Sequence, residues 1–225
     1  IVDIMPYAVA GLSRFQKEPE NPFRAEGKDN RLDAGLDTKI GLTNYLTLDM
    51  TVNPDFGQVE ADPSEVNLST FETFFSEQRP FFIEGKNIFN YKLSYEGDEN
   101  AEGLFYSRRI GRSPHYFPEL EEGDYGKSPE FTRILGAAKI TGKSATGWSV
   151  GVLESMTAKE WVNLRGKSGD SRVPAEPFTN YAVGRVQKDF REGNTTLGGM
   201  LTSVHRNLKE EELNFLHQSA WSGGL

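Results

Sequence analysis

The stretch LDAGLDTKIGLTNYLTLDMTVN, residues 32–53, decides the fold. Leu32, Ala34, Leu36, Thr38, Ile40 and Leu42 alternate with Asp33, Gly35, Asp37, Lys39 and Gly41. After Thr43, Asn44 and Tyr45 the alternation resumes, with Leu46, Leu48, Met50 and Val52 set against Thr47, Asp49, Thr51 and Asn53. A period of two sends successive side chains to opposite sides of a strand, so the stretch reads as an antiparallel hairpin with one apolar and one charged face. Its first arm is about twice the five to six residues usual for a soluble strand. Such a hairpin has two possible settings. In a membrane barrel the apolar side chains face lipid, and Asp33, Asp37, Lys39 and Asp49 line a wet lumen. In a soluble sheet the apolar face meets a protein core and the charges meet bulk water.

The pattern extends outward in both directions. Residues 5–15 form a first strand; 131–141 and 146–157 form a second hairpin, 179–190 and 195–206 a third, and 213–225 opens another strand. Short turns at 43–45, 142–145 and 191–194 alternate with long connections at 16–30, 54–130, 158–178 and 207–212. In an up-and-down meander the short turns then share one rim and the long loops the other, as in outer-membrane barrels, whose strands also run to about ten residues. Tyr7, Phe15, Tyr45, Trp148, Trp161, Phe178, Tyr181 and Trp221 include several near strand ends, where an aromatic girdle would stand. The expected fold is an all-β, antiparallel up-and-down transmembrane β-barrel, about eight strands of it, forming the N-terminal part of a larger barrel whose closing strands lie beyond Leu225.

Composition narrows the function. The chain has 225 residues, no cysteine and a formal net charge of -8. It therefore has no disulfide framework and no thiolate chemistry, and its acidity argues against a nucleic-acid partner. No apolar run approaches the roughly 18 residues of a membrane helix. The chain opens on Ile1 without a signal-like segment and closes on Ser222, Gly223, Gly224 and Leu225 without a turn signal, which reads as part of something longer.

The long connection 54–130 breaks the strand period. Asp62, Pro63 and Glu65 make a capping box with proline at the first helical position, and Leu68, Phe71 and Phe75 follow as one apolar stripe. One short helix in a long, folded, plug-like loop is expected. Asp55, Glu60, Asp62 and Glu65 could offer oxygens to a calcium ion, but their spacing matches no calcium loop, and no metal or other cofactor is assigned. Arg79, Arg108, Arg109 and Arg112 form the only basic concentration near these acids. They suit either contact with an anion or sugar acid, or pairing with the loop carboxylates that pins the excursion in the lumen; the co-occurrence of the two sets favours pinning. Phe71, Phe74, Phe75, Phe81, Phe82, Phe89, Tyr91, Phe105 and Tyr106 form a sugar-stacking platform or, more commonly for such clusters, a loop core. His115, His205 and His217 have no ligand-spaced partner, no nucleophile elbow occurs, and no catalytic residue is assigned.

The run from LDAGLDTKIG through FFSEQRPFFIEG, with LFYSRRIGR after it, resembles the C-terminal β-barrel domain of a group of Gram-negative outer-membrane proteins. Members of that group usually carry an N-terminal carbohydrate-binding module of the family-nine type, and some are labelled membrane-associated hydrolases. The resemblance covers roughly residues 33–112 and implies the bacterial outer membrane, lipid and other outer-membrane subunits as partners, and a glycan link by association. It supplies no catalytic residue. Three readings follow: an outer-membrane barrel for passage or surface handling of a solute, a surface hydrolase with its site at the barrel mouth, and a soluble β-sandwich binding module in which Leu36, Ile40, Leu48 and Met50 face a protein core.

Overall fold

The computed structural model describes residues 1–54, 74–91, 93, 103–167 and 169–225. The hairpin read from residues 32–53 forms, with β2 (Lys28–Gly41) and β3 (Leu46–Val52) paired so that Lys39 stands opposite Asp49 and Leu36 opposite Val52. Thr43 closes its turn by accepting at Oγ1 from the Leu46 N–H at 3.1 Å. Before it runs β1 (Val2–Arg14), longer than the alternation alone indicates. Tyr7 on β1 crosses the backbone of Gly35 on β2 and donates to the Asn53 carbonyl at 2.7 Å. A Cβ at position 35 would stand 2.2 Å from the Tyr7 oxygen, so glycine is required for that close approach.

Beyond the excursion come β4 (Tyr125–Lys127), β5 (Ile134–Lys143), β6 (Trp148–Thr157), β7 (Glu160–Gly166), β8 (Gly169–Glu176), β9 (Thr179–Phe190), β10 (Thr195–Arg206) and β11 (Ser219–Gly224). The strands fall into two sheets: one of eight strands in the order β1-β2-β3-β5-β6-β9-β10-β11, the other of three in the order β4-β7-β8, all antiparallel. The stretch 158–178, expected as a loop, is therefore largely the hairpin β7–β8. Its strands carry few strictly alternating apolar residues, and Pro174 sits within it, so the period-two signal is weak there.

Register fixes two faces on the large sheet. Asp37, Lys39, Asp49, Thr51, Lys139, Leu153, Val183 and Met200 share one face, and Ile4, Leu36, Leu48, Val152, Val186 and Leu201 share the other. The first face is covered. Two short helices, α1 (Pro80–Ile83) and α2 (Lys86–Phe89), and the chain from Leu104 to Ile110 lie over it. Phe81, Phe82, Phe89 and Ile110 of this layer pack with Ile134, Leu153, Tyr181, Val183 and Met200 of the sheet into one buried cluster. The second face has no such layer among the described residues: Leu36 is 38% exposed, Val152 51% and Leu201 52%.

This arrangement corrects the expected fold. Among the described residues, strand β1 pairs only with β2, and β11 only with β10, so the large sheet is open and the second sheet stands apart from it. The physical reason lies in its contents. The face expected to line a wet lumen instead carries two helical turns and three phenylalanines packed into a buried core. The closed transmembrane barrel is thus replaced by an open, two-sheet all-β domain. The outer-membrane location, the lipid and outer-membrane-subunit partners and the glycan link rested on that barrel and its resemblance, and they lose their support with it. No helix among the described residues is long and apolar enough to cross a membrane. The aromatic girdle does not form as a set either: Tyr181 is buried in the core, Tyr7 is bonded in mid-sheet, and Trp161 on the small sheet lies between Lys159 and Arg172. The helix expected after Asp62 falls outside the described residues.

Candidate ligand-binding site

The covering layer is tied down by charges. Arg79, at the turn into α1, is 2% exposed. Its Nε donates to Glu77 Oε1 at 2.8 Å and its Nη2 to Glu77 Oε2 at 2.7 Å, a two-point fork. The same guanidinium donates to the Ile110 carbonyl at 2.7 Å and the Ser107 carbonyl at 2.9 Å, and lies 4.2 Å over the Phe82 ring. One side chain therefore joins residues 77–82 to residues 107–110. Burial pushes the Glu77 carboxyl up, but the Arg79 fork and the Ser107 hydroxyl outweigh it and hold it below its ordinary value.

A second tether rises from the sheet. Lys139 on β5 is 1% exposed; its ammonium donates to the carbonyls of Phe81 and, at 2.6 Å, Glu84, and faces the Phe81 ring at 4.6 Å. Asp49 Oδ2 stands 3.8 Å away, an ion pair too long for a hydrogen bond. Burial lowers the Lys139 ammonium from its ordinary value and raises the Asp49 carboxyl, each against the pull of the other. Lys39 on β2 adds an ion pair to Glu84. The charged stripe read from the sequence is thus the docking surface for the covering layer.

Where that layer meets β9–β11, it leaves a pocket of about 330 Å³. Leu104, Phe105, Ile110, Val183 and Val204 supply apolar wall; Arg109, Arg112, His115, Tyr181, Thr202 and Arg206 supply the polar groups. No carboxylate is among the described residues that line it. Arg206 Nη1 donates to the His217 carbonyl at 3.0 Å, while its Nε is buried with no hydrogen-bond partner. His115 is fixed from behind: Glu176, buried at the end of β8, lies 2.6 Å from its Nδ1 and accepts from its backbone N–H at 2.9 Å. A carboxylate accepting from Nδ1–H leaves Nε2 for other partners. The Tyr181 phenol is pushed up to about 12 by burial, with Glu176 adding to the rise and Arg206 and Arg112 opposing it. It remains a neutral hydroxyl at physiological pH.

A larger depression of about 710 Å³ lies at the β1–β2 end, lined by charges of both signs. Lys127 pairs there with Asp29 at 2.5 Å and Arg31 with Asp33, so much of its charge is satisfied internally. Among the described residues, the pocket against β9–β11 differs in having basic side chains and no carboxylate in its lining.

The residues singled out by sequence divide accordingly. Arg79 is a buried structural fork whose carboxylate partner is Glu77. Arg108 is half-buried, its guanidinium donating to the Ser76 carbonyl at 3.3 Å and lying 5.8 Å from the Phe75 ring. Arg109 and Arg112 line the pocket. Asp55, Glu60, Asp62 and Glu65 lie outside the described residues, and among the described residues no group of three His, Asp or Glu side chains could hold a metal. Of the aromatic set, Phe81, Phe82 and Phe89 are core, and Phe71 is outside the described residues. Sequence reasoning missed Arg206, Tyr181 and the His115–Glu176 pair as site residues. The members of that pair are 61 positions apart, and the approach of β8 to the covering layer brings them together, so no local spacing announces it.

A family model matches residues 2–215, nearly the whole chain, and its description is domain of unknown function DUF5916. The chain belongs to this family. No curated protein and no solved structure matches it. The DUF5916 match replaces the resemblance to outer-membrane barrel domains, because the family description carries neither a barrel nor a hydrolase, and the open two-sheet fold agrees with neither. Within DUF5916, the features that this chain offers for chemistry are its covered sheet face and the pocket at one end of it.

Proposed function

We propose that this DUF5916 chain is a binding domain that holds a small ligand between β9–β11 and the layer over them. The observation that carries this reading is the pocket itself. At about 330 Å³ it falls in the size range of small-molecule sites, and it combines apolar walls with a few convergent polar groups in the usual manner of such sites. Its walls come from elements that belong to the core, since Ile110, Tyr181 and Val183 are all buried. A preformed wall of this kind loses little order on binding, which favours affinity. The open sheet fits a binding domain better than a membrane barrel or a barrel-mouth hydrolase, and no described group requires a catalytic role.

The test is a ligand-observed NMR screen of a mixed fragment set, repeated on Val204→Trp, which fills the pocket from β10. Fragments that bind the natural chain and are lost on Val204→Trp, with the fold retained by circular dichroism, are the expected result. A set of fragments whose binding is indifferent to Val204→Trp would refute the reading.

A further inference from the structure

Resting on that binding reading, we infer that the ligand carries an oxyanion, a carboxylate or phosphate group, which Arg112 and Arg206 receive inside the pocket. Four observations lead there. The first is charge segregation. The chain has 33 acidic and 25 basic residues, yet the described residues that line the pocket include Arg112, Arg206 and His115 and no acid. A site assembled by chance from this composition would hold carboxylates, as the larger depression does with Asp29, Asp33, Glu130 and Glu160.

The second is Arg206. Its Nη1 is used on the His217 carbonyl, but its Nε–H is buried without a partner. A buried guanidinium N–H without an acceptor is costly, and a ligand oxygen placed there removes that cost. The planar fork matches carboxylate and phosphate oxygens in particular. The third is what the nearest buried acid is doing. Glu176 is hydrogen-bonded to His115 and is not among the residues that line the pocket, so its carboxylate is engaged behind the lining rather than within it. The fourth is that the remaining polar lining can donate as well as accept: the Tyr181 phenol stays protonated, and the Thr202 and Ser222 hydroxyls lie 2.7 Å apart on neighbouring strands. The pocket can therefore surround an anion with donors while Leu104, Phe105 and Val204 take an apolar remainder.

Titration of the isotope-labelled chain with citrate, with inorganic phosphate and with neutral glycerol tests this. The expected result is saturable shifts at the Tyr181, Ala182 and Ser203 amides with citrate or phosphate and none with glycerol. The dissociation constant should rise about tenfold on Arg112→Gln or Arg206→Gln, the loss of one charge-assisted hydrogen bond, and should rise again between about 50 mM and 500 mM salt. A response to citrate alone assigns a carboxylate, and to phosphate alone a phosphate. Arg112 is exposed, so its variant retains the test if Arg206→Gln unfolds the chain. Anion shifts that neither variant weakens, or the absence of shifts with both anions, would overturn the inference. If neutral fragments still bind and are lost on Val204→Trp, only the oxyanion inference falls. If no fragment binds there either, the binding reading falls with it.

Discussion

At the scale of the residue, two buried cations hold the covering layer on the sheet in different ways. Arg79 has its fork filled by Glu77 and two carbonyls, so Arg79→Lys, which keeps the charge and loses the geometry, should cost about 3 kcal/mol in urea unfolding. The same pair sets an acid limit. Because the folded Glu77 carboxyl lies below its ordinary value of 4.5, its contribution is fully present above that pH and is lost as pH falls through the folded value. Stability should therefore drop on acidification below about pH 4.5, and Glu77→Gln should flatten that part of the profile while lowering stability at neutral pH. Lys139 has the opposite balance, its ammonium disfavoured by burial but supplying donors to Phe81 and Glu84. Lys139→Met should destabilise by about 3 kcal/mol because it leaves those carbonyls and Asp49 without their cation.

At the scale of the element, the hairpins were legible in the sequence because a short turn closes each, with a strict alternation in β2–β3 and a less pure one in the other two. The third hairpin lies at residues 179–190 and 195–206 in both the sequence reading and the structure. The pair β7–β8 was not legible, since neither strand alternates cleanly. Glycine on the sheet was visible as a residue type but not as a contact: Gly35 matters because Tyr7, 28 positions earlier, passes across it. Gly35→Ala should displace the Tyr7 hydroxyl from the Asn53 carbonyl and lower stability by about 1–3 kcal/mol, read from thermal unfolding. The two Arg residues of the pocket that sequence reasoning selected, Arg109 and Arg112, come from the conspicuous basic run. Arg206 and Glu176 sit among ordinary strand residues, and only strand pairing and the folded-back layer give them their place.

At the scale of the whole molecule, alternation separated the two faces but could not say which one holds the core. Hydrophobicity pointed to Leu36 and Leu48; the packed layer lies instead over Asp49, Lys139 and Leu153, where Lys139 donates to the Phe81 and Glu84 carbonyls and faces Asp49 at 3.8 Å. A covering segment brings its own phenylalanines, so a charged sheet face can still become a core face. Leu153→Ala should therefore cost about 2–5 kcal/mol, whereas Leu201→Ala on the bare face should change stability by no more than about 0.5 kcal/mol, both measured by denaturant unfolding.

The claim on which the pocket depends is that the covering layer belongs to the core rather than being a loop resting on it. Native-state hydrogen exchange at Phe82, Ile83 and Glu84, whose N–H groups bond to the Arg79 and Pro80 carbonyls, tests it most directly. The account predicts that these amides open only with the global unfolding that exposes β5 and β6. Rapid exchange at Phe82, Ile83 and Glu84 while the β5 and β6 amides stay protected would contradict it.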